Sequence, residues 1–424
     1  MPGGGRENRG SLRAAAGGLT TRGRSFLAAG AAAGLCAWVL GQPDLLRVGL
    51  LLAALPLLCV LVLHRTRNRV SVARRLTPSR VAAGSESRVE LRVENITRLP
   101  AGPLLLQDTL PYVLGPRPKF VLDRIEPGGR REVAYRVRSD MRGRYPLGPL
   151  RLRLADPFGM VELSRSFEAV DTLTVLPRTE PLPAVRPGGP SPGPGESRQH
   201  ALAPAGDDDV IPRDYRHGDD LRRVHWRSTA HRGELMVRRE EQPRRARCTV
   251  LLDNRHNAYT RSGPGSAFER AVSGAASVAS HLLEQDYAVR LMAATGFLVP
   301  PLAGGSRAER AGPVLDALAV VDLTPGDGLE DARDALRGHD TGLLIAFVGT
   351  LNARQADLLA GLRRRAPRAV AFVAAGQLDP VLEERRIRRL RETGWTALAL
   401  PPAGPLAPLW QQAMSGQPAT GWPR

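Results

Sequence analysis

Cys248-Thr249-Val250-Leu251-Leu252-Asp253 is the stretch on which the fold turns. Its apolar residues run on without a polar face and stop at a carboxylate. A short continuous run of this kind reads as a strand covered on both sides, the signature of a parallel sheet between helices. Downstream the pattern alternates. Residues 267–284 carry Phe268, Val272, Ala275, Ala279 and Leu282 at helical spacing. Strands are predicted over Tyr287–Ala294, Gly342–Val348 and Ala369–Ala375, with helices over Glu309–Val320, Ala353–Arg364 and Val381–Thr393, the last stopped by Gly394. Strands alternating with helices predict an α/β domain with a mainly parallel sheet over 244–415. Ligands in such sheets gather at the carboxyl ends of strands, which singles out Asp253.

Immediately upstream, residues 207–243 carry the densest mixture of Arg, Asp, His and aromatics in the chain. Asp219 or Asp220 is placed to cap a short helix with Leu221 and Val224 inward, Arg222, Arg223 and Arg227 outward, and Gly233 at its end. Leu235, Met236 and Val237 then read as a strand beside the first strand of the α/β domain. Arg213, Asp214, Tyr215, Asp219, Arg222 and Trp226 suit a buried polar network, because arginine forks pair with carboxylates and stack on aromatic rings. The same residue types, exposed, suit a protein interface. A metal-assisted hydrolase using His217, Asp219, His225 and Asp253 is the alternative, yet the separations of His217, His225 and His231 match no standard ligand pair. No Gly-rich phosphate loop, nucleophile elbow or paired Cys/His nucleophile is present, and no cofactor is implied.

Further back, Pro187-Gly-Gly-Pro-Ser-Pro-Gly-Pro-Gly195 marks a linker over 179–206. From 71 to 178 the period is two. Val89, Leu91 and Val93, then Val133, Tyr135 and Val137, then Leu150, Leu152 and Leu154 alternate with charged or small residues. Turn clusters at Glu126-Pro-Gly-Gly129, Arg142-Gly-Arg144 and Asp156-Pro-Phe-Gly159 separate them, which predicts an immunoglobulin-like or related β-sandwich.

The N-terminal segment is different again. After a basic N-terminus over 1–25, two apolar runs, Phe26–Leu40 and Val48–Leu63, flank the turn Gly41-Gln-Pro-Asp44. They predict a transmembrane helical hairpin over 26–64, since runs with no polar face suit lipid. Arg6, Arg9, Arg13, Arg22 and Arg24 precede the pair, and Arg65, Arg67, Arg69, Arg74 and Arg75 follow it. Positive flanks stay in the cytoplasm, so both termini and the soluble domains are expected inside the cell membrane.

The net charge of +18 suggests an anionic neighbour, membrane lipid or nucleic acid. Nearly all the positive charge is arginine, with Lys119 the single lysine, and its abundance alongside Ala, Gly and Pro has the look of compositional bias, which weakens the nucleic-acid reading. Three cysteines at positions 36, 59 and 248 form no disulfide framework or metal-site spacing.

The run Arg213-x-Tyr215-x-x-Gly218-Asp219-Asp220-x-Arg222-x-x-His225-Trp226-x-x-Thr229-Ala230-x-Arg232-x-x-Leu235-x-Val237 resembles the signature of the domain of unknown function 58 family. That resemblance implies a von Willebrand factor A-like α/β part and a MoxR-type AAA+ ATPase as protein partner. It further implies a non-catalytic membrane-anchored adaptor in envelope assembly or stress response. It also directs attention to the adhesion-site pattern Asp-x-Ser-x-Ser of von Willebrand factor A domains, whose oxygens hold a hard cation. Here Asp253, Arg255 and Asn257 occupy those positions, and an arginine among them should repel a cation. No metal is therefore expected, and Asp253 is read as capping the loop that follows it.

Reporter fusions test the topology. A reporter active only in the cytoplasm should work at either terminus, and activity of a periplasm-specific reporter at the C-terminus would reverse the orientation.

Overall fold

A computed structural model describes residues 18–67, 70–96, 100, 103–156, 158–184, 212–215, 224, 226–238, 246–261, 263–301, 305–326, 328–376 and 379–415. The chain divides into two units, Met1–Arg178 with Leu315–Val321, and Thr179–Val314 with Asp322–Arg424.

The first unit begins with two helices, α1 (Thr21–Leu40) and α2 (Pro43–Arg67). Each is long and apolar enough to cross a membrane. Both extend past the apolar runs read from sequence, because neighbouring residues complete the first and last turns. Thr20 caps α1 by accepting from the Gly23 N–H, and Gly41 ends it at φ +66°, a left-handed conformation that glycine adopts without strain. Leu35, Trp38, Val39, Leu50, Leu51, Leu57 and Leu61 point outward, so the apolar stretches of both helices expose large apolar side chains. The pair is close-packed through small residues: a Cβ on Gly30 would lie 2.8 Å from the Gly49 carbonyl oxygen and 2.9 Å from the Ala53 nitrogen.

Ten strands follow: β1 (Val70–Thr77), β2 (Arg80–Ala82), β3 (Glu86–Asn95), β4 (Leu104–Gln107), β5 (Lys119–Leu122), β6 (Arg130–Arg138), β7 (Gly143–Leu147), β8 (Leu150–Ala155), β9 (Glu162–Phe167) and β10 (Asp171–Leu176). They form three sheets, ordered β1-β3-β6, β2-β10-β7 and β5-β4-β8-β9. The two-residue period decides which side chains go in. Val89, Leu91 and Val93 from β3 and Leu150, Leu152 and Leu154 from β8 all enter one core, together with Leu147, Leu173 and Val175.

One charged network lies inside that unit. Arg74 pairs with the wholly buried Asp108 at 2.7 Å, and its other amine nitrogen reaches Asp171 at 3.2 Å and the Leu147 carbonyl at 2.6 Å. The Tyr135 hydroxyl donates to Asp108 at 2.6 Å, and burial, followed by the Asp108 bond and charge, pushes that phenol far above its ordinary range. Arg74, counted by sequence among the membrane-flanking cations, is thus spent inside the fold, leaving the flank role to its neighbours.

The second unit opens with Thr179–Ala184. Composition assigns these residues to the linker, but they are pinned down: the Glu180 N–H donates to Ser277, the Glu180 carboxylate accepts from the Leu406 N–H, and the Trp410 indole donates to the Pro183 carbonyl. The rest of the predicted linker, 185–206, lies outside the described residues. Next come β11 (Pro212–Asp214), α3 (Trp226–Arg232) and β12 (Met236–Arg238). The six-stranded sheet is built from β13 (Arg247–Leu252), β14 (Ala288–Ala293), β15 (Gly296–Val299), β16 (Leu343–Val348), β17 (Arg368–Ala374) and β18 (Thr396–Leu400). Its helices are α4 (Ala267–Glu284), α5 (Arg307–Val320, whose residues from Leu315 onward are grouped with the first unit), α6 (Glu330–Ala335), α7 (Ala353–Arg363), α8 (Pro380–Glu392) and α9 (Ala407–Ser415).

Strand order is β15-β14-β13-β16-β17-β18. All neighbours are parallel except β15, which returns antiparallel to β14. Alternate residues of the central strands face opposite sides, so both sides need cover. Leu251, Leu344, Ala346 and Val348 pack with Leu329, Leu336, Leu359, Leu362, Ile387 and Leu390 of the α6 to α8 layer. On the other side α4 comes so close that a Cβ on Gly274 would lie 2.4 Å from the Phe347 ring, while Trp410 of α9 meets His281 of α4 edge to face. This is the doubly wound order whose crevice opens between the first and fourth strands of the fold, here β13 and β16.

The hairpin contact is testable by substitution. Gly30→Ala should lower the stability of the detergent-solubilised chain by about 1–3 kcal/mol through overpacking. Gly34→Ala, whose added Cβ meets nothing within 4 Å, should not. Equal melting midpoints would refute the close packing.

Candidate functional site

The sheet order places one position ahead of all others. β13 ends at Leu252 and β16 at Val348, so Asp253 and Gly349 face each other across the switch point where doubly wound sheets bind ligands. Asp253 is held there by backbone: its N–H donates to the Phe347 carbonyl at 2.8 Å, and Gly349 N–H donates back to its carboxylate at 3.2 Å. Gly349 fits because a Cβ there would come within 2.3 Å of the Ala258 carbonyl oxygen.

The crevice is filled from within. Arg255, 1 % exposed, lays its guanidinium along the carboxylate of the wholly buried Asp253. Nε donates to Oδ1 at 2.8 Å and Nη2 to Oδ2 at 2.7 Å, a bidentate fork, and Nη2 also reaches the Thr350 carbonyl at 3.3 Å. The Arg255 N–H adds a bond to Oδ1 at 3.2 Å, closing a tight loop after the strand. The Tyr259 hydroxyl donates to the Asp253 carbonyl at 2.9 Å. Burial, then the Asp253 charge, raises that phenol well above its usual range against the opposing pull of Arg255, so the hydroxyl stays a donor. Asn254 fastens the same loop to its neighbours, donating to the Asp322 carbonyl at 2.9 Å and accepting from the Ala294 N–H at 3.0 Å.

The expectation for these residues needs one amendment. Asp253 does accept from the loop's backbone, yet its main partner is Arg255, which acts as the carboxylate's counterion. Asn257 is exposed, and its backbone carbonyl accepts from the Thr350 hydroxyl. Gly349, Thr350, Asn254 and Tyr259 complete the crevice and were not singled out by sequence. Gly349 at the end of an apolar strand run was the available signal.

The upstream signature is only partly placed. Gly218, Asp219, Asp220, Arg222 and His225 lie outside the described residues, as does His217. Arg213 belongs to β11 and pairs with Val237 in β12. That two-stranded sheet stands apart from the six-stranded one, which corrects the expectation that the strand through Val237 lies beside β13. The reason is local: Tyr215 N–H donates to the Leu235 carbonyl, and Met236 N–H donates to the Thr229 hydroxyl, so the segment folds back on itself. The helix starts at Trp226, after the buried Val224, and ends at Gly233 with φ +75°. Tyr215 is half-buried, whereas Trp226 is 71 % exposed and Arg232 is exposed. Trp226 therefore belongs to a surface and not to a buried network. Among the described residues no three His, Cys, Asp or Glu side chains come together as a metal site.

Residues 212–391 match the family model described as "Protein of unknown function DUF58", which supports that family for the segment from β11 to α8. No curated protein matches the chain. Among solved structures, the chain is similar to the CARDB domain of a Pyrococcus furiosus protein at 16 % identity, covering 25 % of this chain and 89 % of that one with a TM-score of 0.18. It is similar to the alkylpurine DNA glycosylase AlkC of Pseudomonas fluorescens at 15 % identity, 30 % and 39 % coverage and a TM-score of 0.16. It is also similar to the sporulation control protein Spo0M of Bacillus subtilis at 14 % identity, 26 % and 49 % coverage and a TM-score of 0.17. Scores this low leave the fold to the geometry described above.

Arg255→Ala should strand a buried carboxylate and destabilise the protein by about 3–5 kcal/mol in denaturant titrations. In Arg255→Ser, where Asp253, the new hydroxyl and Asn257 offer oxygens, millimolar Mg²⁺ should raise the melting midpoint while leaving the unsubstituted protein unmoved. A mild Arg255→Ala would show that the pair is not what holds the crevice.

Proposed function

We propose that this chain is a membrane-anchored, cytosol-facing, non-catalytic adaptor that docks a protein partner through the surface around α3. The observation that carries the reading is the contrast between two positions. The crevice in which doubly wound sheets hold ligands is occupied by Arg255 on Asp253, both buried, while an indole stands 71 % exposed nearby in sequence at Trp226. Trp and Arg dominate interface energetics when a partner covers them. Trp226 projects from a helix that also presents exposed His231 and Arg232.

The finer assignments belong to the same reading. The six-stranded order with one antiparallel edge strand, and a carboxylate after the first strand, support a von Willebrand factor A-like α/β unit. Alternating inward residues across three antiparallel-rich sheets support an immunoglobulin-like sandwich. Two helices fit to span a bilayer support the anchor, with Arg22 and Arg24 exposed at the start of α1 on the side assigned to the cytoplasm. The MoxR-type AAA+ ATPase is the partner that the family resemblance suggests, and envelope assembly or stress response the setting.

Affinity purification of the full-length protein from detergent extracts tests the docking surface. Trp226→Ala should cut recovery of an AAA+ ATPase, with truncation of such an anchor costing about 2 kcal/mol or more, roughly thirtyfold in affinity. Unchanged recovery with an unchanged melt would remove this surface from the proposal, and turnover of a substrate by the purified chain alone would end it.

A further inference from the structure

The turn between β8 and β9, described at Asp156, Phe158 and Gly159, is tied to the apolar hairpin. The Asp156 carboxylate organises the turn by accepting from Val161 N–H at 2.6 Å and Phe158 N–H at 3.0 Å, and Gly159 adopts φ +67°. The start of α1 grips the same turn. Thr20 donates its N–H to the Met160 carbonyl at 2.9 Å and its hydroxyl to the Gly159 carbonyl at 2.7 Å. Leu19 bridges Val161, and Glu162 N–H donates to Gly18. Gly23 is packed so tightly on this turn that a Cβ would lie 2.3 Å from the Met160 oxygen. From α2, the buried Cys59 joins the apolar cluster that holds Met160 and Val161.

These contacts fix the height of the turn along the hairpin. Cys59 lies inside the apolar run that ends at Leu63, four residues or about 6 Å short of its end. Thr20 lies six residues ahead of Phe26, where the other apolar run begins, or about 9 Å along the axis. The turn is therefore level with the boundary between apolar helix and arginine-bearing helix. Arg22, exposed, comes up against Gly159 at that same level. At this height the one large apolar side chain of the turn is not folded inward: Phe158 is 58 % exposed while Met160, two residues on, is buried.

We infer that Phe158 inserts into the boundary between headgroups and acyl chains of the bilayer, a third membrane contact beside α1 and α2. Aromatic rings favour that zone, and arginines beside them reach lipid phosphates. The ligand is a phospholipid surface, and the inference rests on the membrane-anchored reading of α1 and α2.

Site-directed spin labelling in phospholipid nanodiscs separates the two claims. Cys36→Ala removes the exposed thiol, leaving Cys59 and Cys248 buried. A nitroxide is then placed at Phe158→Cys, at Leu51→Cys on the outward face of α2, or at Tyr112→Cys. Tyr112 is 91 % exposed and follows Gln107, which pairs with Arg151 at the end of β8 remote from Asp156. Collision rates with lipid-soluble oxygen, relative to a water-soluble nickel chelate, should be severalfold higher at 158 than at 112 and highest at 51. A ratio at 158 equal to that at 112, with 51 still in lipid, would overturn the inference and leave the anchor standing. A water-like ratio at 51 would overturn both.

Discussion

The buried pairing of guanidinium with carboxylate is the constraint on which the α/β unit depends. Asp253 sits at the carboxyl end of the central strand, inside a low-dielectric crevice, where a lone carboxylate would be costly. Arg255 answers it two residues later with both fork nitrogens, and the loop conformation that brings it back also sets Asn254, Ala258 and Tyr259 in place. The first unit reaches the same solution with Arg74 and Asp108. In a chain with one lysine, arginine is the available internal counterion, and its planar fork suits the task better than an ammonium would.

Much of the architecture could be read in advance because burial leaves a period. Val250 to Leu252, Leu343 to Val348 and Ala369 to Ala374 are covered on two sides and so are apolar throughout. Val89, Leu91 and Val93 are covered on one and so alternate. The helix over 267–284 was legible to the residue from its apolar stripe, and the structure adds Ser266 as its cap. What escaped were elements with weaker patterns. Gly296–Val299 is four residues long with an exposed Phe297, Glu330–Ala335 is a single charged-looking turn and a half, and Ala407–Ser415 hides its buried Trp410 among small residues.

The site was legible in part. The position of Asp253 followed from the rule that ligands gather at strand ends, but the meaning of Arg255 needed three dimensions. Sequence shows an arginine near a carboxylate and suggests repulsion of a cation. Only the fold shows that the arginine bends back to pair with the carboxylate. Likewise, the mixed chemistry of residues 207–243 left burial undecided, and the exposure of Trp226 could not be inferred from a helical spacing that the segment adopts for just seven residues.

The strap at Thr179–Ala184 has a mechanical consequence. The chain enters the α/β unit there, and the strap is stapled to α4 by Ser277 and to the region of α9 by Leu406 and Trp410. Those three hydrogen bonds hold the entering segment against two helices that are distant from it in sequence. The last helix among the described residues thus works as a clasp on the segment by which the chain enters the unit.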